Sequence, residues 1–70
     1  MSENEYIFLN PKGSKIVVRY DPYEEAIIIE DYALAYTYND FVKCGEVRIL
    51  FRKEAEFLIE SIRRLMDKLS

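Results

Sequence analysis

The stretch EVRILFRKEAEFLIESIRRLMDKL (Glu46–Leu69) changes its hydrophobic period partway along. In EVRILF, Val47, Ile49 and Phe51 fall on one face of an extended strand and Glu46, Arg48 and Leu50 on the other, the period of two that a sheet uses. From Lys53 the period becomes 3.6, because Ala55, Leu58, Ile59, Ile62, Leu65, Met66 and Leu69 form one helical stripe. Glu54 and Glu56 stand in the first turn and Arg63, Arg64 and Lys68 toward the end, matching the helix dipole, and Glu60 with Arg64 is a favourable i,i+4 pair. The switch predicts a sheet that ends near residue 52 and an amphipathic helix over 53–69. No good N-cap residue precedes that helix. Phe57 falls nearly opposite the stripe and must find another surface.

Upstream, residues 1–5 (MSENE) read as a frayed terminus and YIFL (Tyr6–Leu9) as a short first strand closed by the turn formers NPKGS. KIVVRY (Lys15–Tyr20) is β-branched and alternates, with Ile16, Val18 and Tyr20 on one face and Lys15, Val17 and Arg19 on the other. DPYEE (Asp21–Glu25) has proline pre-set for a turn that reverses the chain. AIIIEDYALAYTY (Ala26–Tyr38) then reads as one long strand, or as two meeting near 31–33; unbroken, it puts Glu30, Tyr32, Tyr36 and Tyr38 on one face. Asn39–Asp40 is expected to turn, and Gly45 to mark a bulge or turn in the returning segment. The predicted class is α+β: one domain over 1–70, an antiparallel sheet of about four strands over 6–52, then the helix.

Seventy residues bury only about 60% of the unfolded surface, yet half of these residues are hydrophobic. A second copy is an economical place to bury the remainder, so a homodimer is expected. No apolar run approaches the roughly 20 residues of a membrane span, and the acidic start does not resemble a secretory signal, so a cytoplasmic, membrane-free protein is expected. The single cysteine, Cys44, fits a reducing compartment. Histidine, tryptophan and glutamine are absent while Glu, Ile, Tyr, Lys and Arg abound, a bias that resembles thermophile proteins.

Catalysis finds little support. There is no histidine to activate a serine or cysteine, no Cys/His cluster for zinc, and no phosphate-binding glycine loop, because Gly13 and Gly45 stand far apart. Neither an enzyme nor a metal or cofactor is expected. Glu24–Glu25 and Glu30–Asp31 read as solvated surface, since strand neighbours point to opposite faces. Cys44 reads as a small apolar residue. Tyr20, Tyr23, Tyr32, Tyr36 and Tyr38 serve either as strand formers covering a small core or, beside Lys15, Arg19, Lys43, Arg48 and Arg52, as a stacking platform for single-stranded nucleic acid. The net charge of −3 opposes the second reading: residues 1–52 hold six Lys/Arg against nine Asp/Glu, so any basic surface has to be local.

Two segments carry a family likeness. KIVVRYDPYEEAIIIEDY (Lys15–Tyr32) resembles the strand pair of the transcriptional coactivator family known as positive cofactor four, which ends in an Ile-Arg-Glu-Tyr type sequence. CGEVRILFRKEAEFLIESI (Cys44–Ile62) resembles that family's Gly-Lys-Gly-Ile-Ser-Leu strand, acidic helix start and helix aromatic. Glu30 stands where the family carries an arginine. The resemblance implies a curved four-stranded sheet with one helix, a homodimer formed partly through the helices, and single-stranded DNA lying across concave sheets. By position it implies Arg19 and Arg48 as phosphate contacts, Tyr32 as the stacking ring and Phe57 in helix packing or the dimer contact. Lys15, Tyr36 and Lys43 join the candidate site from the residue reading. The competing expectation is an acidic protein-interaction module, such as a small subunit, inhibitor or viral adaptor, that meets a basic partner.

Overall fold

The computed structural model of the chain describes residues 4–37 and 39–70. Four strands, β1 (Glu5–Asn10), β2 (Ser14–Asp21), β3 (Ala26–Ala35) and β4 (Asp40–Ile49), form an antiparallel meander in chain order, followed by helix α1 (Arg52–Leu65) and a 3₁₀ turn over Met66–Lys68. The α+β architecture is as the period change predicts. Several boundaries differ. Glu5, expected in a frayed terminus, already pairs with Arg19, and the backbone N–H of Tyr20 donates to the carbonyl of Asn4. The sheet ends at Ile49 rather than 52, and β4 begins at Asp40, so EVRILF supplies only its second half. AIIIEDYALAYTY is a single strand only as far as Ala35; Tyr36 and Thr37 lie in a turn, and Tyr38 lies outside the described residues.

The turns follow their sequences. Asp21 Oδ1 accepts hydrogen bonds from the backbone N–H groups of Tyr23 and Glu24, which holds the DPYEE reversal. Gly13 has φ +96°, a backbone angle that side-chain-bearing residues rarely adopt, and its carbonyl accepts from the N–H of Leu34. Asn39 takes the left-handed conformation at φ 51°, which asparagine tolerates better than most residues. No serine, threonine or aspartate caps α1. Instead Glu54 Oε1 reaches back to accept from the N–H groups of Leu50 and Phe51, both at 2.9 Å.

Register decides which side chains share a face. Lys15 opposes Tyr32, Val17 opposes Glu30, and Arg19 opposes Ile28, which in turn opposes Arg48. Asp31 pairs with Gly45 but Tyr32 pairs with Lys43, so one extra residue, Cys44, sits in β4 beside Gly45. That bulge reverses the parity of β4. Without it Lys43 and Arg48 would point to opposite faces; with it they share one.

The two faces differ in kind. One carries Lys15, Val17, Arg19, Ile28, Glu30, Tyr32, Lys43, Glu46 and Arg48, with the exposed Ile7 and Leu9 at its β1 edge, and it includes the buried residues Val17, Ala26, Ile28 and Glu30. The other carries Phe8, Ile16, Val18, Tyr20, Ile27, Ile29, Val42, Val47 and Ile49, of which only Ile49 is buried. Helix α1 contacts the sheet at β4 and has no buried residue along its length.

Candidate nucleic-acid interface

Five of the six candidate residues, Lys15, Arg19, Tyr32, Lys43 and Arg48, converge on the first of these faces. On it, charges of alternating sign cross three strands. Arg19 Nε donates to Glu30 Oε1 at 3.1 Å, and Arg19 Nη1 lies 3.9 Å from Asp21 Oδ2. Lys43 Nζ bridges Glu30 Oε2 at 3.5 Å and Glu46 Oε1 at 2.8 Å. Arg48 Nη2 donates to Glu46 Oε2 at 2.8 Å, while its Nε lies 3.2 Å from Glu24 Oε2. The order of charges is therefore Asp21, Arg19, Glu30, Lys43, Glu46, Arg48, Glu24.

Glu30 is the hinge of this series. Expected on solvated surface, it is instead only 6% exposed, because Arg19 from β2 and Lys43 from β4 close over it from both sides. A buried carboxylate with two cations is a satisfied one. The hydrogen bond from Arg19 is the main cause that holds its carboxyl below the usual glutamate range, against the opposing effect of burial. Glu46 is likewise held below that range, first by its hydrogen bond from Lys43. The partners shift reciprocally: Arg19 is raised by its hydrogen bond to Glu30 and Lys43 by its hydrogen bond to Glu46. Asp31, the neighbour of Glu30, points to the other face and is exposed, as strand alternation predicts.

Toward the other end of the same face the chemistry becomes aromatic. Lys15 Nζ stands 4.5 Å from the centre of the Tyr32 ring and 4.6 Å from that of Phe41, within the range of cation–π attraction. Phe41 escaped the sequence reading. Its parity with Lys43 was the available signal, since both precede the bulge. Tyr36 does not align with Tyr32 as an unbroken strand would require. It sits in the turn after β3, 80% exposed, with its hydroxyl beside Gly13.

Phe57, the residue assigned to helix packing or dimer contact, is 69% exposed and lines a groove with Val47, Ile49 and Leu58. Cys44 is exposed on the bulge, and its thiol approaches the carbonyl of Val42. Among the described residues no group of His, Cys, Asp and Glu is placed to hold a metal ion, and no helix is long and apolar enough to cross a membrane.

The arrangement offers rings for stacking at one end and exchangeable ion pairs at the other. The cationic groups remain partly accessible: the side chains of Lys43 and Arg48 are nearly half exposed. No protein-family model matches the chain, and no curated protein or solved structure matches it.

Proposed function

We propose that the chain is a non-catalytic binding protein for single-stranded nucleic acid, DNA in the first instance, with a role in transcription or DNA maintenance. The observation that carries this reading is the shared face of Lys15, Arg19, Tyr32, Lys43 and Arg48, achieved across an odd sequence interval only through the Cys44 bulge. Bases have π faces that stack on Tyr32 and on the exposed Tyr36, at about 1–3 kcal/mol per stacked base. Phosphates take the guanidinium and ammonium groups by exchanging with Glu30, Glu46 and Glu24. Arg19, Lys43 and Arg48 each already hold a carboxylate that phosphate has to displace, whereas Lys15 stands over the rings of Tyr32 and Phe41. The likeness of Lys15–Tyr32 and Cys44–Ile62 to the positive cofactor four family supports the same reading. We set this activity in the cytoplasm of a thermophile, on the composition and the single thiol.

A second reading, the acidic module that meets a basic protein, is favoured by one observation: the cations of this face are matched by carboxylates while the chain as a whole carries −3. The two readings part in one titration. Fluorescence anisotropy of a labelled single-stranded oligothymidine at low and high salt, with duplex competitor, should show single-strand preference. With four phosphates engaged, the log–log salt slope should approach about −3. Absence of binding by folded protein at low salt would eliminate the first reading and leave the second.

A further inference from the structure

We infer that the apolar face of the sheet and the apolar stripe of α1 form one continuous interface for a second copy of this chain, leaving the ion-paired face outward. Surface area points to a second copy. A folded monomer of 8.4 kDa is expected to expose about 4,600 Å², whereas this chain exposes 6333 Å². The excess is roughly twice the ~800 Å² that each partner gives to a standard interface, which is the range of obligate dimers. It is also located. Phe8, Ile16 and Val47 on the sheet and Ile59, Ile62 and Leu65 on the helix are each about half exposed, although all are apolar.

Charge points the same way. An acidic chain approaching its own copy needs a contact surface poor in charge. The apolar sheet face meets that need, its charged members being Asp31 and Asp40 on the β3–β4 pair; the ion pairs outside the helix all lie on the opposite face or its bordering turn. A basic partner would find few carboxylates there. A second copy meets a surface of its own kind.

The dimensions of helix and sheet also fit a second copy. Helix α1 starts over the end of this face, with grooves on both sides. One, of about 410 Å³, lies between Tyr20, Ile27 and Ile49 of the sheet and Ala55 and Ile59 of the helix; the other lies between Val47 and Phe57. The helix is about 21 Å long and four strands span roughly 14–19 Å, so one copy's helix reaches across the partner's sheet. A two-fold axis lets both copies do so at once. Phe57, opposite the stripe, then belongs to the groove against β4.

The test is the solution mass of the full chain across a dilution series, by light scattering or sedimentation, in the absence of nucleic acid. The expected result is twice 8.4 kDa, undiminished by raised salt. Ile62→Glu on the helix and Val47→Glu on the sheet should each halve the mass while the β-sheet circular dichroism persists. A folded wild-type monomer at every concentration, a dimer dispersed by salt, or a dimer that survives both substitutions would overturn the inference. Should either variant fail to fold, the wild type decides. On dilution the ring signals of Tyr6 and Tyr20 should move while those of Tyr23 and Tyr36 stay, and the reverse pattern contradicts the assignment.

Discussion

Ile28 and Ile27 are neighbours in β3 with the same side chain, yet Ile28 is fully buried and Ile27 is exposed. The packing of α1 does not explain the difference, since the helix lies on the side of Ile27 and Ile49 and not on that of Ile28. Ile28 lies on the ion-paired face with Arg19 and Arg48 as its cross-strand neighbours, whose charged heads are held by Glu30, Glu46 and Glu24; long charged side chains fixed in this way bury their stems along apolar surface. Ile27 lies on the other face between Tyr20 and Ile49, where among the described residues no ion pair fixes the neighbouring side chains over it. Ion pairing across β2, β3 and β4 thus closes the centre of its own face, while Ile7 and Leu9 at its β1 edge stay exposed. On the other face only Ile49, beside the helix, is buried among the described residues.

The largest effect expected from this contrast is at Ile28. Ile28→Ala should destabilise the fold by about 2–5 kcal/mol, read by denaturant unfolding, because the site is closed within the protomer at any concentration. A cost that varies with protein concentration would mean that Ile28 also belongs to an interface. Next comes Glu30→Gln, which keeps the shape and removes the charge that orders Arg19 and Lys43. With partners this accessible, a loss near 1 kcal/mol is expected. The same variant should bind single-stranded DNA several-fold more tightly than wild type at low salt, since two cations lose their internal anion. Weaker binding would show that Glu30 organises the site rather than competing with phosphate.

The ion-paired face also predicts a pH profile. Glu30 and Glu46 have carboxyls held below their ordinary value, so their stabilising contribution is complete above ~4.3 and is lost as pH falls through the lowered values. Lys43 is shifted the other way; its contribution is complete below ~10.4 and is lost as pH rises through the raised value. Melting temperature should therefore hold a plateau between these limits and fall on both sides, with the acid limb flattened in the Glu30→Gln, Glu46→Gln double variant. An unchanged acid limb would show that the ladder contributes nothing to folding. The smallest effect is expected at the rim: Glu24→Gln removes one exposed partner of Arg48 and should stay within about 0.5 kcal/mol of wild type.

The parts of this fold legible in the sequence are those fixed by local periodicity. Ala55, Leu58, Ile59 and Ile62 announce α1, and Lys15–Tyr20 alternates as β2 does. Gly45 was legible as a bulge or a turn in the returning segment, and the bulge is what forms beside it; what stayed hidden was its consequence, the changed parity that brings Lys43 to the face of Arg48. Burial of Glu30 was hidden for another reason. Its partners lie eleven residues before and thirteen after it, and only strand register brings them together. The N-terminal cap escaped because Glu54 supplies it from inside the helix. Tyr36 was misassigned to the strand because nothing in ALAYT marks Ala35 as the last paired residue.

The measurement that bears most directly on this division of labour is a titration of the full chain with single-stranded oligothymidine, followed through the ring resonances of its tyrosines. Tyr32 lies on the ion-paired face and Tyr6 and Tyr20 on the apolar one. The account predicts that Tyr32 shifts on addition of the oligonucleotide while Tyr6 and Tyr20 do not. Shifts at Tyr6 and Tyr20 with Tyr32 unmoved would contradict it.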